Sequence, residues 1–177
     1  MANLQEEELV SDEFIIDLRE ERPNSVSEWP TVSVVIPTLN EARNLEHVLP
    51  LIPPWVHQVV IVDGLSTDDT VAVALKLIPT ATIIIESRKG KGQAMSSGFA
   101  AATGEFIVAL DADGSTDPTE IPAFVGALQA GADLAKGTRF MQGGGTDDME
   151  RHRQLGNWVL TKLVNVLFGG GYSDLCY

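Results

Sequence analysis

Four short apolar runs divide the chain from residue 31 onward, and each is followed by a polar cluster and then by apolar residues at helical spacing. The runs lack regular polar alternation, as expected for strands that helices cover on both faces. No hairpin turn joins one run to the next, which favours a mostly parallel sheet. The predicted strands are 32–36, 58–62, 82–85 and 106–111.

Capping residues and apolar spacing predict a helix after each strand. Asn40 is placed to cap the first helix, and Ser66 to Asp69 have the spacing of a capping box for the second. The third helix is predicted over 94–102, with Gly104 as its cap. Asp117 followed by Pro118 is typical of a helix start, and this fourth helix is expected to end near residue 131. The resulting fold class is α/β, with helices on both faces of the sheet.

Beyond residue 131 the pattern changes. Residues 132–140 are predicted as a further strand and 143–145, three glycines, as a loop. A last helix over about 150–168 is apolar nearly all round, and its apolar part is shorter than the roughly 20 residues that cross a bilayer. It is therefore buried, covered by another chain or lying on a membrane surface, and burial is the favoured interpretation.

The acidic charge is concentrated at the amino terminus. Of a formal net charge of −13, residues 1–30 hold nine acids and two arginines. With few apolar residues, this segment is predicted to be a mostly disordered tail, ahead of one domain over 31–177. A solubilising role is favoured over a docking role.

Composition and the terminal sequence also limit the expected partners and cellular location of the protein. An acidic chain without basic stripes is a poor nucleic-acid binder, so no nucleic-acid partner is expected. The single Cys176 forms no intramolecular disulfide, and no signal peptide is visible, which together favour the cytoplasm. These features are compatible with a homo-oligomer as well as with a monomer.

The polar clusters lie where each predicted strand ends. In parallel α/β sheets ligands bind at the carboxyl ends of the strands, so the clusters are expected to meet along one edge. Asp111 and Asp113 are expected to project to the same side and to hold Mg²⁺ or Mn²⁺. Asp63 is placed to contact a base or ribose. The basic residues that suit a diphosphate are Arg88, Lys89, Lys91 and Arg139.

Several stretches together resemble the family 2 glycosyltransferases with the GT-A fold, which is Rossmann-like. They are VSVVIPTLNEARNL, VVIVDGLSTDDT, KGKGQAMSSGFAAATGEFIVALDADGS, GTRF and the closing RQLGNW…LFGGGYSDLCY. Within that family they look closest to dolichol-phosphate mannosyltransferase-like and related polyprenyl-phosphate sugar transferases. The resemblance implies metal-dependent, inverting transfer of a sugar from a UDP- or GDP-sugar, with a lipid phosphate at the cytoplasmic membrane face as the hypothetical acceptor.

The resemblance also implies roles for single residues. Asp111 and Asp113 match the metal and donor motif, Asp63 the acid at the base, and Asp174 an acid near the acceptor that is a candidate base. Asp113 and Asp174 are the expected catalytic residues. The expected donor-binding residues are Pro37, Asn40, Glu41, Asp63, Lys91, Gly92, Asp111 and Arg139.

Two features depart from the family pattern. Gly64 stands where many members carry a second acid, and the chain stops at Tyr177 where the family continues, so a fold truncated at the carboxyl terminus is expected. The alternative is a nucleotide-sugar-binding or interaction module without turnover. A second alternative is a haloacid-dehalogenase-type phosphatase. The stretch FIVALDADGST also resembles the nucleophile motif of that class, although in that class the motif normally lies on the first strand.

Overall fold

The computed structural model describes residues 29–137 and 151–168, with side chains of the last helix described over 156–167. The chain divides into two units at Gln129 and Ala130. The first contains strands β1 (Val32–Thr38), β2 (Gln58–Asp63), β3 (Thr82–Ile85) and β4 (Phe106–Ala109), with helices α1 (Ala42–Val48), α2 (Thr70–Leu77), α3 (Lys91–Ala101) and α4 (Ile121–Gln129). The second contains α5 (Arg151–Phe168).

The four strands form one parallel sheet in the order β3-β2-β1-β4. The predicted α/β class with a parallel sheet is therefore confirmed. β1 is central, and Val35 pairs with Val60 on one side and with Ala109 on the other. Because all strands run the same way, their carboxyl ends share one edge of the sheet.

Alternate residues of the strands pack into two apolar clusters, one on each face. Val34 and Ile36 join Leu45 of α1 and Val125 of α4 on one face. Val35, Val60 and Val62 join Ala94 of α3 on the other. Helices thus cover both faces, as the continuous apolar runs predicted.

β1 continues through Pro37 to Thr38, two residues past its predicted end. Pro37 pairs with Val62 of β2, whereas pairing with β4 ends at Val35 and Ala109. The backbone of Val35, two residues before Pro37, faces β4 and accepts a hydrogen bond from the Leu110 N–H. Pro37 therefore turns its missing N–H towards the side where β4 has already ended, and no ladder hydrogen bond is lost.

Four predicted helix boundaries are wrong, namely the starts of α1, α2 and α3 and the end of α3. Asn40 does not cap α1, because its side chain accepts a hydrogen bond from the N–H of Thr67 in the next loop. α2 begins at Thr70, so Ser66 lies in the loop before it. α3 begins at Lys91, three residues early, and the capping position at its end is Ala102.

Gly104 serves the sheet instead of the helix. A Cβ at this position would lie 2.6 Å from the Ser33 backbone nitrogen and 2.9 Å from the Thr31 oxygen. Only glycine lets the chain pass this close to β1 before entering β4.

The predicted start of the fourth helical segment, with a capping Asp117 followed by Pro118, is confirmed. Asp117 accepts a hydrogen bond from the Thr119 N–H at 2.9 Å, and Pro118 opens a 3₁₀ turn that leads into α4. β4 is shorter than predicted, since it ends at Ala109 and Asp111 lies beyond it. Residues 132–137 form no strand, and the rest of that predicted strand, with the glycine loop, lies outside the described residues.

α5 has the predicted extent but not the favoured burial. Trp158, Val166 and Leu167 are exposed, with Val166 at 80%, whereas the polar Asn157 and Thr161 are buried. The Thr161 hydroxyl donates to the Asn157 side-chain oxygen at 3.4 Å. Within the described part of the chain, these apolar side chains of α5 are therefore exposed. No helix among the described residues is long and apolar enough to cross a membrane.

Candidate functional site

The carboxyl ends of β1 to β4 bring the predicted polar clusters to one edge of the sheet, as expected. β2 and β4 flank β1, so Asp63 and Asp111 follow strands that lie about 10 Å apart at the usual spacing. We call the part of this edge at the carboxyl ends of β2 and β3 the β2–β3 end, and the part that follows β4 the β4 end. Different kinds of contact hold the side chains at the two ends.

The loop after β1 is hydrogen-bonded to the loop after β2. The Asn40 N–H donates to the Ser66 hydroxyl at 2.8 Å, and the Thr67 N–H donates to Asn40 Oδ1 at 2.8 Å. Asn40 adopts a φ of 57°, a left-handed conformation that asparagine tolerates better than most residues. The predicted binding residue Asn40 therefore has a clear structural role in joining the two loops.

A second set of contacts strengthens this junction. Asp68 accepts hydrogen bonds from the Ala42 N–H at 3.2 Å and from the Thr70 N–H at 3.0 Å, and also from the Thr70 hydroxyl. The Glu41 N–H donates to that same hydroxyl at 2.9 Å. The Thr70 hydroxyl is the first cause that lowers the pKa of Asp68. Asp68 consequently stays ionised and fixes the start of α1 against the start of α2.

Asp63 is buried at the end of β2, with only 3% of its surface exposed. Its Oδ2 accepts a hydrogen bond from the Ser66 N–H at 3.0 Å. Its Oδ1 is the one buried side-chain oxygen or nitrogen without a hydrogen-bond partner in the described part of the chain. Because an unpaired buried acceptor costs free energy, Oδ1 is suited to receive a hydrogen bond from a ligand.

Two exposed leucines flank Asp63. Leu39 and Leu65 follow β1 and β2 and are 58% and 53% exposed. Leu65 has a φ of 66°, an uncommon conformation for a leucine that costs about 1 kcal/mol or more. An exposed apolar side chain in a strained backbone suits contact with a flat ring such as a base.

A buried acid follows β3. Glu86 accepts hydrogen bonds from the Arg88 N–H at 2.8 Å, from Arg88 Nε at 2.9 Å and from Nη2 at 2.7 Å, and Ser97 of α3 donates its hydroxyl to the same carboxylate. These contacts, first those of the Arg88 side chain, hold the pKa of Glu86 far below its ordinary value. The charge of Arg88 is thus already paired within the protein.

At the β4 end, Lys91 meets Asp111. The Lys91 Nζ lies 2.5 Å from Asp111 Oδ1, and the two side chains are 63% and 38% exposed. Such an open ion pair contributes little to stability in water. The pair is therefore free to exchange partners when a charged ligand arrives.

Asp113 lies two residues further on, beyond the buried Ala112. Hydrogen bonds from Ser115, first from its side chain, lower the pKa of Asp113, so this carboxylate remains ionised. No group of three or more acidic, histidine or cysteine side chains that could hold a metal occurs among the described residues. Two carboxylates still fit Mg²⁺ or Mn²⁺, because such ions usually take their other ligands from phosphates and water.

The remaining predicted residues divide into two groups. Glu41 lies just before α1 and accepts a hydrogen bond from Asn44 Nδ2 at 2.6 Å, and Gly92 lies exposed in the first turn of α3. A Cβ at Gly92 would meet nothing within 4 Å, so packing does not require glycine there. Arg139 and Asp174 lie outside the described residues.

The structure adds site residues that sequence reasoning missed. They are Leu39, Leu65, Asp68, Glu86 and Ser97. Apolar residues at a strand end carry no signal of their own, and the contacts of Asp68 and Ser97 depend on which loops meet in space. Glu86 alone had a signal, as the acid at the end of an apolar run beside a basic loop.

Comparison with known proteins gives a family match. Residues 33–175 match the family described as "Glycosyl transferase family 2". The matched range contains β2, β3, β4, all of β1 except Val32, and both ends of the sheet edge described above.

Individual relatives agree with this match. The chain is 43% identical over 108 residues to an uncharacterized glycosyltransferase of Mycobacterium bovis, covering 61% of this chain and 48% of the relative. It is 35% identical over 131 residues to the dolichol-phosphate mannosyltransferase of Pyrococcus furiosus, covering 70% and 37%. The chain therefore spans about half the length, or less, of these relatives.

A solved structure described as that of a mycobacterial protein matches with a TM-score of 0.52 and 31% sequence identity. The match covers 58% of this chain and 38% of that one. The similarity in fold is thus accompanied by similarity in sequence.

Proposed function

The chain belongs to glycosyl transferase family 2, as its sequence motifs predicted, and we propose that it binds a nucleoside diphosphate sugar and transfers the sugar to an acceptor. The GT-A fold expected for this family agrees with the parallel α/β sheet. The phosphatase interpretation of FIVALDADGST is wrong, because the family match includes that stretch and three strands of the described sheet precede its strand in the chain.

One observation carries the proposal. The same sheet edge holds a buried carboxylate with an unpartnered oxygen, Asp63, and an exposed acid in contact with an exposed cation, Asp111 with Lys91. Their strands are separated by one strand, or about 10 Å. This distance suits a ligand with a hydrogen-bonding ring at one end and a diphosphate at the other.

The chain's own groups divide the work of binding. Asp63 Oδ1 accepts an N–H from the base or a hydroxyl from the ribose, and Leu39 and Leu65 contact the ring. Lys91 moves from Asp111 to the diphosphate oxygens, which leaves Asp111 and Asp113 to hold Mg²⁺ or Mn²⁺. When bound, that ion neutralises charge developing on the departing diphosphate.

We propose a phosphate acceptor and inversion at the transferred carbon. An ionised phosphate oxygen needs no general base, because it carries no proton to remove. For a hydroxyl acceptor the candidate base remains Asp174. A lipid phosphate is supported by the dolichol phosphate in the name of the Pyrococcus furiosus relative and by the outward apolar side chains of α5.

Calorimetry with a panel of UDP- and GDP-sugars, with and without Mn²⁺, tests donor binding. We expect one donor to bind, and to bind at least tenfold more tightly with the metal. Sugar-labelled donor incubated with a short polyprenyl phosphate then tests transfer, which separates an enzyme from a module that only binds. Absence of metal-dependent binding to every donor would contradict both.

The location of the acceptor is tested separately. Flotation with vesicles that contain anionic lipid should carry the protein upward if the reaction takes place at the cytoplasmic face of a membrane. The double variant Trp158→Ser with Val166→Ser removes two exposed apolar side chains of α5 and should abolish flotation. Unchanged recovery with the vesicles would show that α5 is not the contact.

A further inference from the structure

The loop between β3 and α3 is held by a single buried side chain. Glu86 is buried, whereas residues 87–93 are all exposed. No apolar residue in this stretch reaches the core of the described unit, so its course depends on polar contacts. Those contacts converge on the Glu86 carboxylate.

Glu86 joins three parts of the structure. Its own N–H donates to the Asp63 carbonyl oxygen at 2.8 Å, which ties it to the end of β2. Its carboxylate accepts from the backbone and the guanidinium of Arg88, which folds the loop back. Ser97 of α3 donates to Glu86 and accepts from Arg88 Nη2 at 3.0 Å, so the helix is held against the same point.

The loop leads into α3 at Lys91, and this residue must lie within reach of Asp111. β3 and β4 are the outer strands of the described sheet, three strand spacings or about 14 Å apart. Lys91 nevertheless reaches Asp111, which follows β4. Five peptide steps from Glu86 span at most about 17 Å. The lysine side chain adds to this reach, so chain length alone does not place Lys91. Glu86 instead holds the loop through Arg88, three residues before Lys91, and through Ser97 it holds the helix that Lys91 begins.

We propose that Glu86 is a positioning residue for the donor diphosphate: through Arg88 and Ser97 it directs the loop so that Lys91 is delivered to the β4 end of the site. This inference rests on the proposed function, since it assigns a diphosphate to that end. Glu86 itself makes no contact with the ligand. Its effect on binding passes through Lys91.

The test uses Glu86→Gln, which keeps the size of the side chain and removes its charge. Glu46→Gln, at an exposed position on α1, is the matched control. Inorganic pyrophosphate with Mn²⁺ is the probe, because it occupies only the diphosphate end. We expect Glu86→Gln to weaken pyrophosphate binding about tenfold and Glu46→Gln to leave it unchanged.

A double-mutant cycle shows whether the effect passes through Lys91. In the Lys91→Gln background, Glu86→Gln should cause no further loss of pyrophosphate affinity. Hydrogen exchange supplies a readout without ligand, in which the amides of 87–93 should exchange faster in Glu86→Gln than in Glu46→Gln. Additive losses, or unchanged pyrophosphate affinity in Glu86→Gln, would overturn the positioning role.

The failure of this inference differs from failure of the proposed function. If the unmodified protein binds pyrophosphate and a sugar nucleotide with Mn²⁺ but Glu86→Gln binds them equally well, only the positioning role is overturned. If the unmodified protein binds neither, both are overturned. A lowered melting temperature in Glu86→Gln with unchanged affinity would identify Glu86 as structural alone.

Discussion

Asp63 ends β2 and Asp111 follows β4 of one parallel sheet, yet their surroundings are opposite. Asp63 is 3% exposed and lies beside two loops that hydrogen bonds join to each other. Asp111 has a 38% exposed side chain that forms an ion pair with Lys91, itself 63% exposed. Under the proposed function, we infer that the β2–β3 end is preorganised for the nucleotide, whereas the β4 end would be completed by the diphosphate and a metal.

Removing the proposed metal ligand Asp113 tests the β4 end and should have the largest effect. Asp113→Asn keeps the oxygen that accepts the Ser115 N–H at 2.9 Å, so the turn survives while the charge is lost. We expect the transfer rate to fall about a hundredfold or more, because charge on the departing diphosphate is no longer neutralised. Mn²⁺ titration with sugar transfer as the readout measures it. Asp117→Asn, the same change at a nearby cap, should retain the rate.

Asp63→Asn tests the preorganised end. The amide group occupies the same space, but one acceptor oxygen becomes a donor, so a ligand N–H or hydroxyl loses its partner. We expect nucleotide affinity to fall about tenfold and pyrophosphate affinity to stay the same. Calorimetry with both ligands decides it. An equal loss for both would mean that Asp63 does not distinguish the two ends.

Lys91→Gln tests whether Lys91 occupies the Asp111 carboxylate at the β4 end when no ligand is bound. Without the ammonium group, Asp111 is free, so Mn²⁺ alone should bind a few times more tightly. The same variant should bind the nucleoside diphosphate more weakly, because a positive charge at the diphosphate is lost. Paramagnetic resonance of free Mn²⁺ measures the first effect, and Lys89→Gln serves as the control. Weaker Mn²⁺ binding without nucleotide would contradict the exchange of partners.

Leu65→Gly tests the strain near Asp63. Glycine adopts a φ of 66° without penalty, so the free energy of unfolding should be unchanged or rise by up to about 1 kcal/mol. Nucleotide affinity should fall a few times, since the apolar contact to the ring is lost. Denaturant unfolding and calorimetry measure the two quantities. A clear loss of stability would show that Leu65 has a packing role.

The smallest expected effect is the change with pH in the contribution of Glu86 to the free energy of unfolding. Because the folded-state pKa is lowered, the carboxylate stabilises the fold fully above about pH 4.3, its unfolded value, and less as the pH falls below it. The difference in unfolding free energy between the unmodified protein and Glu86→Gln should therefore be constant from pH 7 to about pH 5 and shrink in more acidic solution. A difference that grows on acidification would reverse the assigned sign.

Local patterns were sufficient to predict the strands and the edge of the sheet on which the candidate residues lie. The starts of all four strands lie where the apolar runs begin, and the motif residues Asp63, Lys91 and Asp111 lie along one edge, as expected for a parallel sheet. Asp117 and Pro118 open a helical turn as predicted, because a cap acts on an N–H two residues away. Interactions of this kind are contained within a few neighbouring residues.

The sequence by itself therefore determined the order of strands and helices, the family and the edge that carries the acids. Only the tertiary structure decided which loops meet: Asn40 bonds to Ser66 and Thr67 instead of capping α1, and Glu86 reaches Ser97. The same holds for α5, where apolar side chains are exposed although burial was the favoured interpretation of a helix that is apolar nearly all round. The physical reason is that a polar side chain takes its partner from whatever element packs beside it, and the parallel pairing of distant strands sets that neighbour.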